Sequence, residues 1–301
     1  FSMYWFVRDM VGKRSIALVA ALLYLAMPYR LETIYVRQAY GEIAAYALAP
    51  LVFWGIHRIL YRKKYGVLLL GLSASAIFVS HNISVVVVGL FSLFYVAANY
   101  KMVRWQTIRR LLYSGLIAGG LSAFFWLPLI VNLSSGIYNI SSLDFIMHRS
   151  TADLQGSALD LQYLFLDIGY KAGLNFFIGV VSIVGLALLM FLWAHGDLKQ
   201  LHIAKQSFVL ALIALLIVSP LIQWQFMPPF MHAIQFPWRF LAMFDLFLSI
   251  AIACAIFYCW KRYIKKRVTH RTIVIATVVL SCLVVLSSIN VMAPAYTIRR
   301  L

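Results

Sequence analysis

Nine apolar runs fill this 301-residue chain between Ser15 and Asn290, each ended by charge or by Pro and Gly. Few folds accept such a pattern. Inside hydrocarbon a backbone must satisfy its own polar groups, so a spanning chain is a bundle of helices of about 20 apolar residues or a closed barrel. The lengths here suit helices. The basic residues fall almost wholly in alternate gaps: Arg8, Lys13 and Arg14; Arg58, Arg62, Lys63 and Lys64; Lys101, Arg104, Arg109 and Arg110; Lys199 and Lys205; then Lys261, Arg262, Lys265, Lys266, Arg267 and Arg271. That is 19 of the 26 Lys and Arg residues, so the positive-inside rule makes these gaps cytoplasmic. Glu32, Glu42, Asp144, Asp153, Asp160 and Asp167, six of the nine acidic residues, fall in the opposite gaps.

Composition excludes a soluble reading, since 63% of residues are hydrophobic and only 12% are charged, against about 25% in a soluble domain. The net charge of +17 would point a soluble protein toward nucleic acid. Spread over short membrane-flanking loops it meets anionic headgroups instead, and no nucleic-acid partner is expected. Cys254, Cys259 and Cys282 sit inside apolar runs without CxxC or metal-spaced His, which supports neither a disulfide framework nor a zinc site. Phe1 to Val7 reads as the cytoplasmic end of a span whose start is absent, so the chain is expected to be an internal piece of a longer protein.

The expected path rises outward over Ser15 to Pro28, crosses an outer segment to Glu42 and returns over Ile43 to Leu60. Tyr65 to Tyr100 is one apolar stretch broken at Ser80-His81-Asn82-Ile83-Ser84. Each arm measures only ~22 to 24 Å, short of the ~30 Å core, so the break is expected in the membrane or a protein cavity. Leu111 to Leu133 goes out, Leu174 to Ala194 returns, Ser207 to Leu221 goes out, Trp238 to Trp260 returns and Thr272 to Asn290 ends outside. The expectation is therefore an all-α polytopic transmembrane protein with about nine complete spans and a partial first one. It forms one membrane domain over 1–301, with outer loops at 29–42, 134–173 and 222–237. Ser157 to Asp160 resembles a capping box before Leu161, Leu164 and Phe165, which predicts an interfacial helix.

Three constellations carry chemistry. On an α-helix Arg30, Thr33 and Arg37 share one face, two turns apart at the ends, and two guanidiniums at the outer surface suit a phosphate; ordinary snorkelling toward headgroups is the bland reading. His81 and Asn82 occupy the break, where an ionisable group at membrane depth suggests a site although a hydrogen-bonded structural His is commoner. Phe236-Pro237-Trp238-Arg239-Phe240 opens a span, with Asp245 ~9 Å deeper, where a carboxylate must be paired, protonated or facing water. No GxGxxG, Walker A, HExxH or GxSxG motif occurs in a usable context.

The run LLYLAMPYRLETIYVRQAYGEIAAYALAPLVFW, the SHNIS break and the QFPWRF segment resemble the bacterial membrane protein family called "6-pyruvoyl-tetrahydropterin synthase-related". The histidine cluster that a zinc-dependent pterin synthase needs is absent, so the resemblance implies the membrane protein and not the pterin chemistry. It further implies a likeness to the C-type glycosyltransferase (GT-C) superfamily, whose members use lipid-phosphate sugars at the outer face. The implied partners are the bilayer, a polyprenyl-phosphate-linked sugar and a cell-envelope glycan acceptor, in a bacterial cytoplasmic membrane. The family's catalytic acid would lie upstream of Phe1; within this chain Glu42 and His81 are the candidates for such a role. Arg30, Arg37, Asn82, Arg239 and Asp245 are the expected substrate-binding residues. No cofactor is evident, and a divalent metal is compatible with the reading. The alternative is a non-catalytic transporter or assembly scaffold for lipid-linked glycans. An ion channel or secondary transporter is less well supported, because no inverted repeat is visible.

Overall fold

The computed structural model describes residues 1–134, 154–168 and 174–264, and among them there are helices and no strand. The helices are α1 (Ser2–Val11), α2 (Arg14–Ala26), α3 (Pro28–Leu31, continued by a π-helix over Glu32–Val36), α4 (Tyr40–Leu60), α5 (Gly66–Ser80) and α6 (Asn82–Ala98). They are followed by α7 (Trp105–Leu121), α8 (Ala123–Ser134), α9 (Leu161–Phe165), α10 (Val180–Ala194), α11 (His202–Val218) and α12 (Leu241–Cys259). Asp144 and Asp153, Cys282 and the span expected at Thr272 to Asn290 lie outside the described residues.

The centre is α12. Its sequence is apolar on every side rather than along one stripe, which is the pattern of a helix enclosed by others, and every residue from Leu241 to Ala255 is buried. It packs against α2, α10 and α11, while α4 packs against α1, α5 and α6. Leucines at 18, 22, 25, 68, 72, 93 and 116 each leave half or more of their surface exposed, forming apolar sides suited to lipid. Two helices, Tyr40–Leu60 and Pro237–Arg262, are long and apolar enough to cross a membrane. Counting each bent pair as one span adds Arg14–Ala26 with Pro28–Val36 (51°) and Trp105–Leu121 with Ala123–Asn132 (71°). The described residues thus supply two to four spans rather than nine, because α5, α6, α10 and α11 have 15 to 17 residues and reach only ~22 to 26 Å.

Sequence explains the breaks. Met27 precedes proline and is extended, separating α2 from α3. At the bend after α7, the Trp126 indole donates to the Gly119 carbonyl (2.8 Å), covering a group that a continuous helix would pair, and the Ser122 hydroxyl adds a second bond (2.7 Å) to the Ala118 carbonyl that its own N–H already reaches (3.1 Å). The expected span Leu111 to Leu133 is therefore two helices. The expected span from Leu174 becomes helical only at Val180. The interfacial helix begins at Leu161, with Asp160 rather than Ser157 at its N-cap and no side-chain cap bond, and it buries Leu164.

The basic gaps gather at one end. Asp9 at the end of α1 accepts from the Trp54 indole (2.7 Å) and from Lys63 (3.0 Å), with Arg58 at 3.7 Å. Asp197, between α10 and α11, accepts from the Tyr258 hydroxyl (2.9 Å) in the last turn of α12 and meets Arg262 (3.2 Å) just beyond it. The opposite end collects the starts of α3, α4 and α6 and the 3-10 turn Pro237–Phe240 that leads into α12.

The α4–α5 contact depends on Gly55. A Cβ there would sit 2.6 Å from the Leu70 nitrogen and 2.7 Å from its Cα, which are backbone atoms that cannot rotate aside. Small residues permit such close approach where no hydrophobic force drives helices together in lipid. Gly185 is the contrast, because its Cβ would meet the tip of the flexible Ile252 side chain. Gly55→Ala is expected to cost about 1–3 kcal/mol and Gly185→Ala less, read from thermal unfolding in detergent; equal losses would contradict the backbone contact.

Candidate functional site

A connected polar network occupies the end opposite the basic loops, and a missing hydrogen bond begins it. Pro50 lies inside α4 and has no N–H, so the carbonyl four residues earlier loses its helical partner. That carbonyl belongs to Tyr46, and the Tyr24 hydroxyl of α2 donates to it at 2.7 Å. The Tyr46 side chain, one turn beyond Glu42 on the same face, donates to Glu42 Oε1, as does the Tyr29 hydroxyl (2.8 Å). Arg37 Nη2 reaches Glu42 Oε2 at 2.7 Å and its Nη1 donates to the Tyr29 oxygen at 3.1 Å. Glu42 is 1% exposed and stands in the first turn of α4, where the helix dipole favours a negative charge.

The π-helix decides which arginine reaches Glu42. Its widened turn is closed by the Arg37 N–H on the Glu32 carbonyl (2.9 Å), a five-residue step that takes Arg37 off the face an α-helix would share with Arg30. Gln38 then adopts a left-handed conformation (φ 51°) that turns the chain into α4. Arg30 instead lies over the Tyr24 ring, 4.8 Å from its centroid, beside Asp245. The Asp245 carboxyl lies beside the Arg30 backbone N–H in the first turn of α3, and its Oδ2 is buried without a hydrogen-bond partner. Asp245 is 2% exposed.

Arg239 is buried in the turn before α12. Its Nη1 donates to the Ile234 carbonyl (2.6 Å) and to Gln235 Oε1 (3.2 Å), and its own carbonyl lies 3.5 Å from the Tyr46 hydroxyl. Gln235 is the second left-handed non-glycine residue at this end (φ 67°); such conformations persist where surrounding structure enforces them and cluster at functional sites. His81 breaks the α5–α6 hairpin in an extended conformation and caps α6: its Nδ1 accepts from the Ser84 N–H (3.2 Å) and contacts the Ser84 hydroxyl at 2.8 Å. A neutral ring used this way carries its proton on Nε2. His81 thus presents a donor, suited to an anionic oxygen rather than to proton abstraction. Gly41 abuts the Ser80 carbonyl and the His81 ring, fixing the hairpin tip against α4.

Among the expected site residues, Arg37, Glu42, His81 and Arg239 come together, and Arg30 with Asp245 joins them through Tyr24 and Tyr46. Asn82 stands exposed in the first turn of α6. Arg30 and Arg37 do not converge on one partner, which the α-helical spacing had implied. Glu42 has both oxygens committed to donors, so it orders the cluster instead of standing as an available base. Sequence reading passed over Tyr24, Tyr29 and Tyr46, and also Glu32, which is buried with Oε1 accepting from the Asn175 N–H at 3.2 Å. The spacing of Glu42, Tyr46 and Pro50 at successive turns was the available signal. Among the described residues no group of three His, Cys, Asp or Glu side chains is placed to hold a metal ion.

Apolar helices around α12 with buried charge at one end define a helical membrane protein. The chain belongs to a family described as bacterial membrane protein YfhO, whose model matches residues 1–298. An uncharacterized protein of Lactococcus lactis subsp. cremoris (strain MG1363) is 25% identical over 147 residues, which are 46% of this chain and 24% of that protein. The matched part therefore spans about a quarter of its relative's length. No solved structure matches.

Proposed function

We propose that this chain is the membrane part of a GT-C-like glycosyltransferase that handles a polyprenyl-phosphate-linked sugar at the outer face of a bacterial cytoplasmic membrane, for assembly of a cell-envelope glycan. In this reading the short apolar helices complete a multi-pass domain of about nine spans, and the alternation of charge turns the polar network outward. The observation that carries it is a set of unpaired donor nitrogens on two arginines. Arg239 Nε, Arg30 Nε and Arg30 Nη1 are buried and have no hydrogen-bond partner. A buried donor left unpaired costs about 1–3 kcal/mol, more when charged, and a phosphate oxygen would relieve that cost with a charge-assisted bond. Arg37 acts through Glu42 and Tyr29, holding the floor of the site, and His81 adds its Nε2–H. The second reading, a non-catalytic transporter or scaffold for the same lipid, is favoured by the full commitment of Glu42; under the first reading the catalytic acid would have to come from outside this chain.

The test is binding of a short-chain polyprenyl phosphate to purified protein, with the unphosphorylated polyprenol as control. One charge-assisted contact is worth about 1.5–3 kcal/mol, so Arg239→Gln is expected to weaken binding about tenfold or more. Unchanged affinity in a folded Arg239→Gln and in Arg30→Gln, or equal binding of the polyprenol, would remove the phosphate reading.

A further inference from the structure

At the opposite, basic end, α5 starts beside a cavity of about 270 Å³ lined by Lys63, Lys64 and Arg110 together with Tyr65, Val67 and Leu68. We propose that this cavity binds the phosphate of an acidic phospholipid, as a site separate from the polar network at the other end. Three cations from two elements converge on it: Lys63 and Lys64 from the α4–α5 turn, and Arg110 from α7, which packs along α5. Lys63 is partly neutralised by Asp9 at 3.0 Å, and among the described residues no carboxylate lines the cavity beside Lys64 and Arg110. The walls match both halves of a lipid. Lys64 is exposed at the membrane-flanking turn, whereas Val67 is half-buried and Leu68 is 52% exposed along the apolar side of α5, where acyl chains would lie. Tyr65 is 72% exposed at the rim, the amphipathic position that aromatic residues take at headgroup level.

A basic pocket between helices at the positively charged end suits an anionic headgroup, because the hydrocarbon below holds the lipid in place while the cations meet its phosphate. The same phosphate chemistry could come from a soluble ion, but inorganic phosphate has no tail to use the apolar wall and gains only screened attraction at an exposed lysine.

The measurement is the midpoint of thermal unfolding of the purified chain in neutral detergent, with added phosphatidylglycerol, phosphatidylcholine or inorganic phosphate. Phosphatidylglycerol is expected to raise the midpoint by about 4 °C, the other two little, since only a ligand that binds the folded state stabilises it. Lys64→Gln/Arg110→Gln is expected to lose most of that rise, and Lys13→Gln/Lys101→Gln, which removes the same charge elsewhere at the same end, to keep it. An equal loss in both double variants would replace the site with diffuse attraction. A rise with inorganic phosphate alone would overturn the lipid assignment, and an undiminished rise in Lys64→Gln/Arg110→Gln would overturn the site.

Discussion

Glu42→Leu is expected to be among the most damaging single substitutions in the chain, lowering stability by about 3–5 kcal/mol. The variant leaves the Arg37 guanidinium buried without its carboxylate, and it removes the common acceptor of the Tyr29 and Tyr46 hydroxyls. Most of the loss is the cost of a stranded charge rather than the worth of the pair, because both ions had already given up their hydration on folding. The double variant Arg37→Met/Glu42→Leu is therefore expected to recover much of the stability. Glu42→Gln should fall between, since its amide keeps one acceptor for the phenols but cannot neutralise Arg37. The measurement is the unfolding midpoint in detergent for wild type, Arg37→Met, Glu42→Leu, their double variant and Glu42→Gln. A double variant as unstable as the single would show that the phenols, and not the ion pair, hold this end together.

Asp245 carries the second large effect. Asp245→Leu removes the charge beside Arg30 and the acceptor facing the Arg30 N–H, leaving a buried cation that already has two unpaired nitrogens. The expected loss is about 3–5 kcal/mol, with a fall in the yield of folded protein. Asp245→Asn retains the acceptor for α3 without the charge, so it separates the two contributions: a stability near wild type would assign the residue to capping α3, and one near Asp245→Leu would assign it to the charge. Arg30→Met/Asp245→Leu should recover stability if the pair acts as a unit. Wild-type stability in Asp245→Leu would mean that the carboxyl has no partner and that its place beside Arg30 is incidental. This substitution is also independent of the donor reading, because it requires no ligand.

The residues differ in how much of their role could be read in advance. Asp245 was recognisable because a carboxylate inside an apolar run demands a partner, but the run could not say that the partner lay on α3, more than two hundred residues earlier. His81 was recognisable as a break between two short arms; its use of Nδ1 to cap α6, and so the proton on Nε2, came only from the geometry of Ser84. Arg30 and Arg37 were paired on the assumption of α-helical spacing. The π turn over Glu32–Val36 broke that assumption, since period-based reading presumes one uniform helix.

By itself the sequence determined that the chain is helical and belongs in a membrane, that it breaks at Pro28 and at His81 but not that it bends at Ser122, and which gaps share an end, because hydropathy and charge act locally on every segment whatever its neighbours. Tertiary structure alone decided that α12 is the enclosed helix, that Gly55 admits the backbone of α5, and that Arg37 rather than Arg30 is joined to Glu42. Those outcomes depend on which faces meet, and a face is fixed by the helical turn and by the partner that covers it, neither of which is written in one segment's composition.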